Sequence, residues 1–377
     1  MRSLNIKYIP ELDQLRGIAA LLVVYFHGVA GYYLGLQDGV VPAVRGPLQA
    51  ILLNGFTGVA LFFVISGFLF TWGALQTERL NWRQFYTNRA LRILPLYLLM
   101  IFVAFSLSRG NFAFGELVQD LVGLANLRKN QSDFDVVIWT IAVELQFYLL
   151  FPMLLALLKR KGPRLLVGLI GVMLMIRLLA YAAEQSLHDA VYYTMLGRLD
   201  QFLIGMLLAW LVYRRGWLRA GHERLLRTWP LVLGLVATAG VMTGVFWLYT
   251  RWGWKMSETI MNVGWPTLEA ALWAVFGVLY VALARRLPRW VLRPIQLVGL
   301  VSYSLYLLHW PVMKALHARG LIWEWPGHPL ASGLLSTTFE LVPVALLAAT
   351  LTYFVIEKPP LELRRRYVTP PHTAPPA

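Results

Sequence analysis

Apolar runs of about 20 residues recur along this sequence, from LDQLRGIAALLVVYFHG near its start to LVPVALLAATLTYFVIE near its end. Each run is long enough for a helix to cross a hydrocarbon layer about 30 Å thick, where the backbone must satisfy its own hydrogen bonds. Apolar residues make up 58% of the 377 residues and charged residues 14%, which is too apolar for a soluble domain. The sequence therefore predicts an all-α, polytopic integral membrane protein.

We place ten transmembrane helices, at residues 12–34, 50–75, 88–108, 138–157, 164–182, 196–213, 229–250, 264–284, 296–317 and 333–356. With the N-terminus in the cytoplasm, 23 Lys and Arg residues fall on the inner side and eight on the outer side. This excess follows the positive-inside rule and predicts that both termini are cytoplasmic. Basic inner loops also explain the net charge of +15, so we expect a lipid bilayer and no nucleic acid as partner.

No segment between the predicted helices is long enough for a soluble domain. The longest, at about 109–137, contains FGELVQDLVGLANL, which predicts a short amphipathic helix. We therefore take residues 1–366 as one transmembrane domain and 367–377 as a Pro-rich, disordered cytoplasmic tail. The sequence has no cysteine and no metal-ligand motif such as H-E-x-x-H, so we expect no metal cofactor.

Two ionisable residues, Arg16 and His27, lie in the first predicted helix with no other charge between them. Eleven residues at 100° each leave them about 20° apart around the helix and about 16 Å apart along its axis. Charges inside membrane helices are costly and indicate either function or internal pairing. The alternative is that Arg16 extends to the inner headgroups and His27 bonds a neighbouring carbonyl. For His27 we favour a functional role.

A second basic group begins the third predicted helix, where Asn88, Arg89 and Arg92 occur in FYTNRALRILPLY. Arginines at an inner helix end usually set orientation. Two arginines on one face, beside the positive end of the helix dipole, can also bind phosphate. The residues alone leave both interpretations open.

The outer half of the predicted bundle contains Glu144 in WTIAVELQFYLLFP, and Arg198 with Asp200 in GRLDQFLIG. Glu144 is placed at a depth similar to that of His27, and a carboxylate that orients an imidazole is a common arrangement for a general base. A structural ion pair between Glu144 and Arg198 is the alternative. Ser66, in the second helix, could act as a nucleophile but has no base within its own helix.

Five segments, in this order, resemble the acyltransferase family 3 of membrane O-acyltransferases: LDQLRGIAALLVVYFHG, FFVISGFL, FYTNRALRILPLY, WTIAVELQFYLLFP and YSLYLLHWP. The closing IEKPPLELRRR is also similar to the end of that family, so the resemblance spans about residues 11–366. It implies a ten-helix fold that transfers an acyl group, commonly acetyl, from cytoplasmic acyl-CoA to an extracytoplasmic sugar hydroxyl.

The resemblance also assigns roles to residues. Arg16 with His27 matches the signature of the family's first helix, and Arg89 with Arg92 matches its arginine pair. Where the family often has two adjacent glutamates, this sequence has Glu144 followed by Leu145, which removes any mechanism based on a glutamate pair. Some relatives carry a fused esterase-like domain after the tenth helix. Because this sequence ends about 20 residues beyond that helix, we expect any further transfer step to need a partner.

The resulting hypothesis is a membrane O-acyltransferase of the bacterial cytoplasmic (inner) membrane. It would use acetyl-CoA as donor and a carbohydrate such as O-antigen or exopolysaccharide as acceptor. In this hypothesis His27 is the general base and Glu144 orients it. The phosphates of acyl-CoA are bound by Arg16, Asn88, Arg89 and Arg92, and the substrate by Trp139, Arg198, Asp200, Tyr303 and His309.

Two alternatives stay open. Tyr303 or Trp139 would stabilise the oxyanion in direct transfer, whereas a double displacement would pass through acyl-His27 or acyl-Ser66. A transporter or flippase for a lipid-linked sugar is the alternative function, because buried charges can also line a path. The absence of a visible internal repeat argues against it.

Overall fold

The structure, a computed structural model, is a bundle of helices. It describes residues 8–33, 46–77, 79–107, 114–127, 135–185, 187, 192–216, 228–252 and 259–367. Within these ranges the chain forms α-, 3₁₀- and π-helices and no β-strand, as expected from the sequence. Most of the predicted tail, at residues 368–377, lies outside the described residues.

The α-helices, in chain order, are α1 (Pro10–Tyr25), α2 (Pro47–Leu53), α3 (Gly58–Leu75), α4 (Trp82–Leu107), α5 (Phe114–Leu121), α6 (Asp135–Lys161), α7 (Pro163–Ala182), α8 (Met195–Arg215), α9 (Thr228–Trp252), α10 (Met261–Ala284), α11 (Arg289–Leu300), α12 (Ser302–Ala318), α13 (Pro329–Ser336), α14 (Val342–Thr352) and α15 (Lys358–Glu362). The predicted amphipathic helix is present as α5, followed by a 3₁₀ turn at Ala125–Leu127.

Among the described residues, nine helical segments are long and apolar enough to cross a membrane. A tenth crossing results if α11 and α12, which meet at 65°, count as one broken span. The prediction of about ten transmembrane helices is therefore confirmed. The last span combines α13, α14 and α15 with two π-helical segments into one helix, Pro329–Glu362.

In the structure, the predicted helix at 296–317 is divided into α11 and α12. Gly17 of α1 and Gly299 of α11 each face the backbone of the other helix, and a Cβ on either would overlap it. This close crossing holds α11 against the first half of α1. The chain then turns at Val301, whose φ of −98° and ψ of 11° are not helical, before α12 begins.

The predicted second helix, at 50–75, is also interrupted. A 3₁₀ turn at Gly55–Thr57 separates α2 from α3. The Asn54 amide donates to the Ala50 and Phe246 carbonyls at 2.9 and 3.2 Å and to Thr250 Oγ1 at 2.7 Å. Asn favours such breaks because its side chain competes for backbone hydrogen bonds.

Helices α3 and α8 pack through glycines. A Cβ on Gly67 would overlap the Phe202 carbonyl of α8, and a Cβ on Gly205 would overlap the Val64 carbonyl of α3. Small residues such as these glycines let the backbones of two membrane helices approach each other closely. The contact fixes α3, which carries Ser66, against α8.

The first helix continues beyond α1 as a π-helix, Phe26–Tyr33, which contains His27. A second π-helical segment, Thr337–Leu341, packs against it. Gly28 faces the Thr337 side chain there, and Tyr25 OH lies 2.9 Å from Thr338 Oγ1. π-Helical turns are rare and occur frequently at functional sites, because the extra residue changes the direction of the side chains around it.

The start of α1, the start of α4 and the end of α15 lie at one end of the bundle. Arg16 of α1 and Arg92 of α4 line one cavity, and the Asn81 amide just before α4 donates to the Tyr367 carbonyl at 3.0 Å. Both described chain ends are therefore on the same side of the bundle. The positive-inside rule predicts that this side faces the cytoplasm.

Candidate active site

His27 and His309 form a pair of imidazoles between the first π-helix and α12. His27 Nδ1 lies 2.9 Å from His309 Nε2, and the two rings stack with centroids 5.1 Å apart. On its other ring nitrogen, His309 lies 2.7 Å from the Tyr306 carbonyl and 3.2 Å from the Leu305 carbonyl. The structure thus brings together two residues that the sequence analysis had assigned separately, His27 as general base and His309 as a substrate-binding residue.

Glu144 has different partners from those expected. Its Oε1 accepts a hydrogen bond from Ser66 Oγ at 2.9 Å and another from Tyr148 OH at 2.7 Å. At His27 Nδ1, where the sequence analysis had placed Glu144, the structure has His309. Helix α3 supplies no base for Ser66, but α6 does, since Glu144 reaches it from the neighbouring helix.

The cavity beside Glu144 also contains arginines. Arg16 from α1 and Arg92 from α4 line it together with Ser66 and Glu144. Tyr306 also lines this cavity, and its carbonyl lies 2.7 Å from His309 Nδ1. The arginine-lined cavity and the histidine pair are therefore adjacent and share Tyr306.

Arg16 is oriented by a short polar chain at the start of α1. It pairs with Asp13 at 3.3 Å, and Asp13 accepts a hydrogen bond from Tyr8 OH at 2.6 Å. The Gln296 amide of α11 donates in turn to Tyr8 OH at 3.0 Å. Burial and the Asp13 carboxylate raise the pKa of Tyr8 to about 12, so Tyr8 keeps the proton that it donates.

The predicted arginine pair gains a third member from the end of the chain. Asn88, next to Arg89 on α4, is hydrogen-bonded to Arg365, which brings Arg364 to the start of α4. Burial and the charges of Arg92 and Arg89 lower the pKa of Arg364 to about 10. Arg89 stacks its guanidinium over the Phe70 ring at 4.7 Å. Its Nε is buried and has no hydrogen-bond partner among the described residues. A cluster of cations with an unused donor suits an anionic ligand.

Asn88, predicted to bind the acyl donor, anchors the chain end instead. Its amide donates to the Arg365 carbonyl at 2.7 Å, and its oxygen accepts from the Arg365 amide at 3.2 Å and from Gln84 at 2.9 Å. These bonds hold the segment that carries Arg364 beside α4. The contribution of Asn88 to the arginine cluster is therefore indirect.

Arg198 and Asp200, predicted to bind substrate, are buried in ion pairs within the bundle. Arg198 pairs with Glu269 at 2.6 Å, and Arg177 pairs with Asp200 at 2.6 Å. All four side chains are at most 1% exposed. Glu269 and Arg177 were missed, although charged residues within apolar helices are a recognisable signal. Internal pairing, the alternative considered for Arg198, is what the structure shows, with Glu269 as its partner in place of Glu144.

Trp139 is connected to the neighbour of His27 by a row of aromatic rings. Its ring is 5.4 Å from Tyr192, Tyr192 is 6.0 Å from Phe56, and Phe56 is 5.4 Å from Phe26, the neighbour of His27. The Arg198 guanidinium stacks over Tyr192 at 4.1 Å and fixes this aromatic row in place.

Of the side chains that could donate a hydrogen bond to an oxyanion, Tyr303 is already engaged, whereas Trp310 has a donor without a partner. Tyr303 OH donates to the Ile93 carbonyl at 2.9 Å, so its proton is already used. Trp310, which the sequence analysis did not single out, has a buried Nε1 with no hydrogen-bond partner among the described residues. Its ring meets that of His27 edge to face, with centroids 5.2 Å apart. An unpaired indole N–H beside a candidate base is costly unless a ligand uses it.

A larger cavity of about 380 Å³ lies on another face of α3, bounded by Leu61, Phe68, Trp273 and Gly277. Arg285 and Arg286 are the charged side chains among its lining residues. It offers no base or nucleophile for group transfer. Within the described residues, no group of three His, Asp or Glu side chains could hold a metal ion.

Sequence comparisons identify proteins that are similar to this chain. The sequence model of a family described as "Acyltransferase domain" matches residues 9–357. The chain is 25% identical to the O-acetyltransferase OatA of Staphylococcus aureus over 94% of its own length and 57% of that protein. It is 27% identical to the peptidoglycan O-acetyltransferase OatA of Listeria monocytogenes, over 81% of its own length and 50% of that protein.

A third relative is matched over more of its own length. BcsY of Komagataeibacter xylinus, described as a membrane-bound transacylase, is 26% identical over 94% of this chain and 84% of that protein. The chain thus spans 57% and 50% of the two OatA proteins but 84% of BcsY. No solved structure matches the chain significantly.

Proposed function

We propose an activity for this chain, which belongs to the acyltransferase family whose sequence model covers residues 9–357. The chain is an O-acetyltransferase of the bacterial cytoplasmic membrane. It moves an acetyl group from acetyl-CoA to a hydroxyl of a carbohydrate on the other side. The observation behind this proposal is that a cavity lined by Arg16 and Arg92 lies next to the histidine pair, since Tyr306 lines the cavity and its carbonyl contacts His309.

The arginine cluster binds the donor. Arg16, Arg89, Arg92 and Arg364 come together at the end of the bundle that is predicted to face the cytoplasm, where acyl-CoA is made. Guanidinium groups bind phosphates through paired hydrogen bonds, and CoA carries several phosphate charges. The thin pantetheine arm can then extend along the cavity and bring the thioester towards His27.

His27 acts as the general base at the thioester. Its ring accepts the proton of the acceptor hydroxyl while that oxygen attacks the thioester carbon. The C–O bond forms, the C–S bond breaks, and the CoA thiolate takes the proton back from His27. The Trp310 Nε1–H donates to the oxyanion that develops on the carbonyl oxygen. Trp139, in the aromatic row beside Phe26, contacts the acceptor.

The relatives support a carbohydrate acceptor. The Listeria protein is named as a peptidoglycan O-acetyltransferase, and peptidoglycan is a glycan outside the cytoplasmic membrane. An exopolysaccharide or O-antigen is an acceptor of the same chemical class. In each case the nucleophile is a sugar hydroxyl, which needs the removal of one proton.

A two-step route through Ser66 is the alternative mechanism. Ser66 Oγ donates to Glu144 at 2.9 Å in the donor cavity, which is a nucleophile–base pair. To separate the routes, the purified chain is mixed with radiolabelled acetyl-CoA and no acceptor. Direct transfer predicts no labelled protein. A stable label that is lost in Ser66→Ala would establish the two-step route.

The function itself is tested on glycans from cells. Surface glycans of cells that lack the gene are compared by mass spectrometry with those of cells carrying the wild-type gene or His27→Ala. We expect the acetyl mass to be lost from one glycan without the gene and restored only by the wild type. A lipid-linked sugar transporter would instead change the amount of the glycan and leave its acetylation unaltered.

A further inference from the structure

The proton positions on His309 follow from its two backbone contacts. Nδ1 lies 2.7 Å from the Tyr306 carbonyl and 3.2 Å from the Leu305 carbonyl. A carbonyl oxygen only accepts hydrogen bonds, so Nδ1 of His309 must carry a proton. In a neutral imidazole, the other nitrogen then bears the lone pair.

The surroundings of His309 favour the neutral ring. The side chain is 0% exposed, and its described hydrogen bonds run to two carbonyls and to His27. No carboxylate is among these partners. Burying a cation without a carboxylate partner is strongly unfavourable, whereas a neutral ring satisfies both of its nitrogens here. His309 Nε2 therefore faces His27 as an acceptor.

The tautomer of His27 follows in turn. Only one proton fits between two nitrogens 2.9 Å apart, and His309 Nε2 does not supply it. His27 Nδ1 therefore carries the proton and donates it to His309. A neutral His27 then has its lone pair on Nε2, which is the form that a general base requires.

We propose that His309 is the positioning residue of the transfer site, fixing His27 in the Nδ1-protonated tautomer through a chain that begins at the Tyr306 carbonyl. This inference rests on the proposed function for its kinetic consequence and on the hydrogen-bond geometry for the tautomer. A neutral imidazole here performs the orienting task that a carboxylate performs in a Ser-His-Asp triad.

The same contact stabilises the charge that develops during transfer. When His27 Nε2 takes the hydroxyl proton, the ring becomes an imidazolium whose Nδ1–H still donates to His309 Nε2. That proton can be shared between the two nitrogens, so the charge spreads over both rings. Delivery of the Nε2 proton to the CoA thiolate restores the neutral pair, and no proton is gained or lost overall.

The tautomer is tested first, by a measurement that needs no activity. The full chain, labelled with ¹⁵N-histidine, is studied by solid-state NMR in lipid bilayers. Signals that disappear in His27→Gln are assigned to His27. We expect a protonated Nδ1 and a bare Nε2. A protonated Nε2 in the wild-type protein would overturn the proposal, whether or not the protein transfers acetyl groups.

The kinetic test separates positioning from packing. His309→Leu removes the acceptor, whereas the amide oxygen of His309→Gln can still accept from His27 Nδ1. We expect His309→Leu to lower kcat about 100-fold with the KM for acetyl-CoA within about twofold, and His309→Gln to recover at least a tenth of wild-type kcat. His317→Leu, two turns further along α12, serves as the control.

The outcomes distinguish the two proposals. An active wild-type protein whose His309→Leu and His309→Gln variants have equal kcat would refute the positioning role and leave the proposed function intact. A wild-type protein without acetyl transfer would refute the proposed function. The NMR result would in that case still decide the tautomer.

Discussion

His27 Nδ1 lies 2.9 Å from His309 Nε2, although 282 positions of the chain separate the two residues. The contact depends on the π-helical turn at Phe26–Tyr33, which meets the segment Thr337–Leu341 through Gly28 and Tyr25. The base of the proposed reaction is therefore positioned only after the first and last helices have packed together.

The indole N–H of Trp310 is expected to contribute to catalysis. Trp310→Phe keeps an aromatic ring against His27 but removes the donor, and loss of one oxyanion donor typically costs about 100-fold in kcat. The KM for acetyl-CoA should stay within about twofold. Trp273→Phe is the matched control, because Trp273 also has a buried, unpaired Nε1 but lies in the apolar cavity. Equal kcat values for the two variants would exclude the role of Trp310.

The arginine cluster is expected to bind the phosphates of CoA. Arg89→Gln and Arg92→Gln should each raise the Kd for CoA about tenfold, measured by calorimetry, since one lost charge-assisted bond costs about 1.5–3 kcal/mol. Binding of pantetheine, which has no phosphate, should not change. Arg83→Gln, an exposed arginine in the first turn of α4, is the control. A CoA affinity that stayed the same in both variants would place the phosphates elsewhere.

Arg364 offers a test that the sequence alone did not suggest. Burial and the charges of Arg92 and Arg89 lower its pKa to about 10, so it is still a cation at neutral pH. Arg364→Gln should weaken CoA binding about as much as Arg89→Gln does. The nearby Arg366→Gln, which removes an exposed charge, should weaken it less. The reverse order would show that general charge, and not the cluster, attracts the donor.

The buried ion pair of Arg198 and Glu269 is expected to make the protein sensitive to the loss of one partner alone. Removing one partner of a buried ion pair leaves an uncompensated charge and costs about 3–5 kcal/mol. Glu269→Leu should therefore lower Tm more than the double variant Arg198→Met with Glu269→Leu. Thermal unfolding in detergent gives both values. A double variant less stable than the single one would show that the two residues contribute independently.

The crossing of α3 and α8 should not tolerate a methyl group. Gly67→Ala places a Cβ against the Phe202 carbonyl, which is backbone and cannot move without shifting a helix. We expect a loss of about 1–3 kcal/mol, seen as a lower Tm. Gly240→Ala in α9, where a Cβ has open space, should leave Tm unchanged or raise it. Similar Tm values for both variants would mean that the crossing is looser than described.

The apolar runs were sufficient to predict the number of spans, because each run must be long enough for the bilayer whatever it packs against. The breaks after Asn54 and at Val301 were missed. Both depend on tertiary contacts, namely the Asn54 bonds to α9 and the glycine crossing of α11 over α1. No local pattern in the sequence contains those contacts.

The sequence predicted how deep the site residues lie in the membrane but not which of them contact each other. Residue position along a helix gave similar depths for His27 and Glu144, yet depth does not say which neighbouring helix a side chain faces. Glu144 faces Ser66 and Tyr148, and Arg198 faces Glu269. The arginine pair was easier to predict, because residues three apart on one helix share a face without help from tertiary packing.

His27 is proposed to be the base of an acetyl transfer from CoA to a sugar hydroxyl. Its most direct test is the rate at which the purified chain, in liposomes, moves radiolabelled acetyl from acetyl-CoA to peptidoglycan disaccharides or short glucans. We expect transfer by the wild-type protein and by His328→Ala, whose histidine is exposed, and at least a 100-fold loss in His27→Ala. Undiminished transfer by His27→Ala would contradict the account.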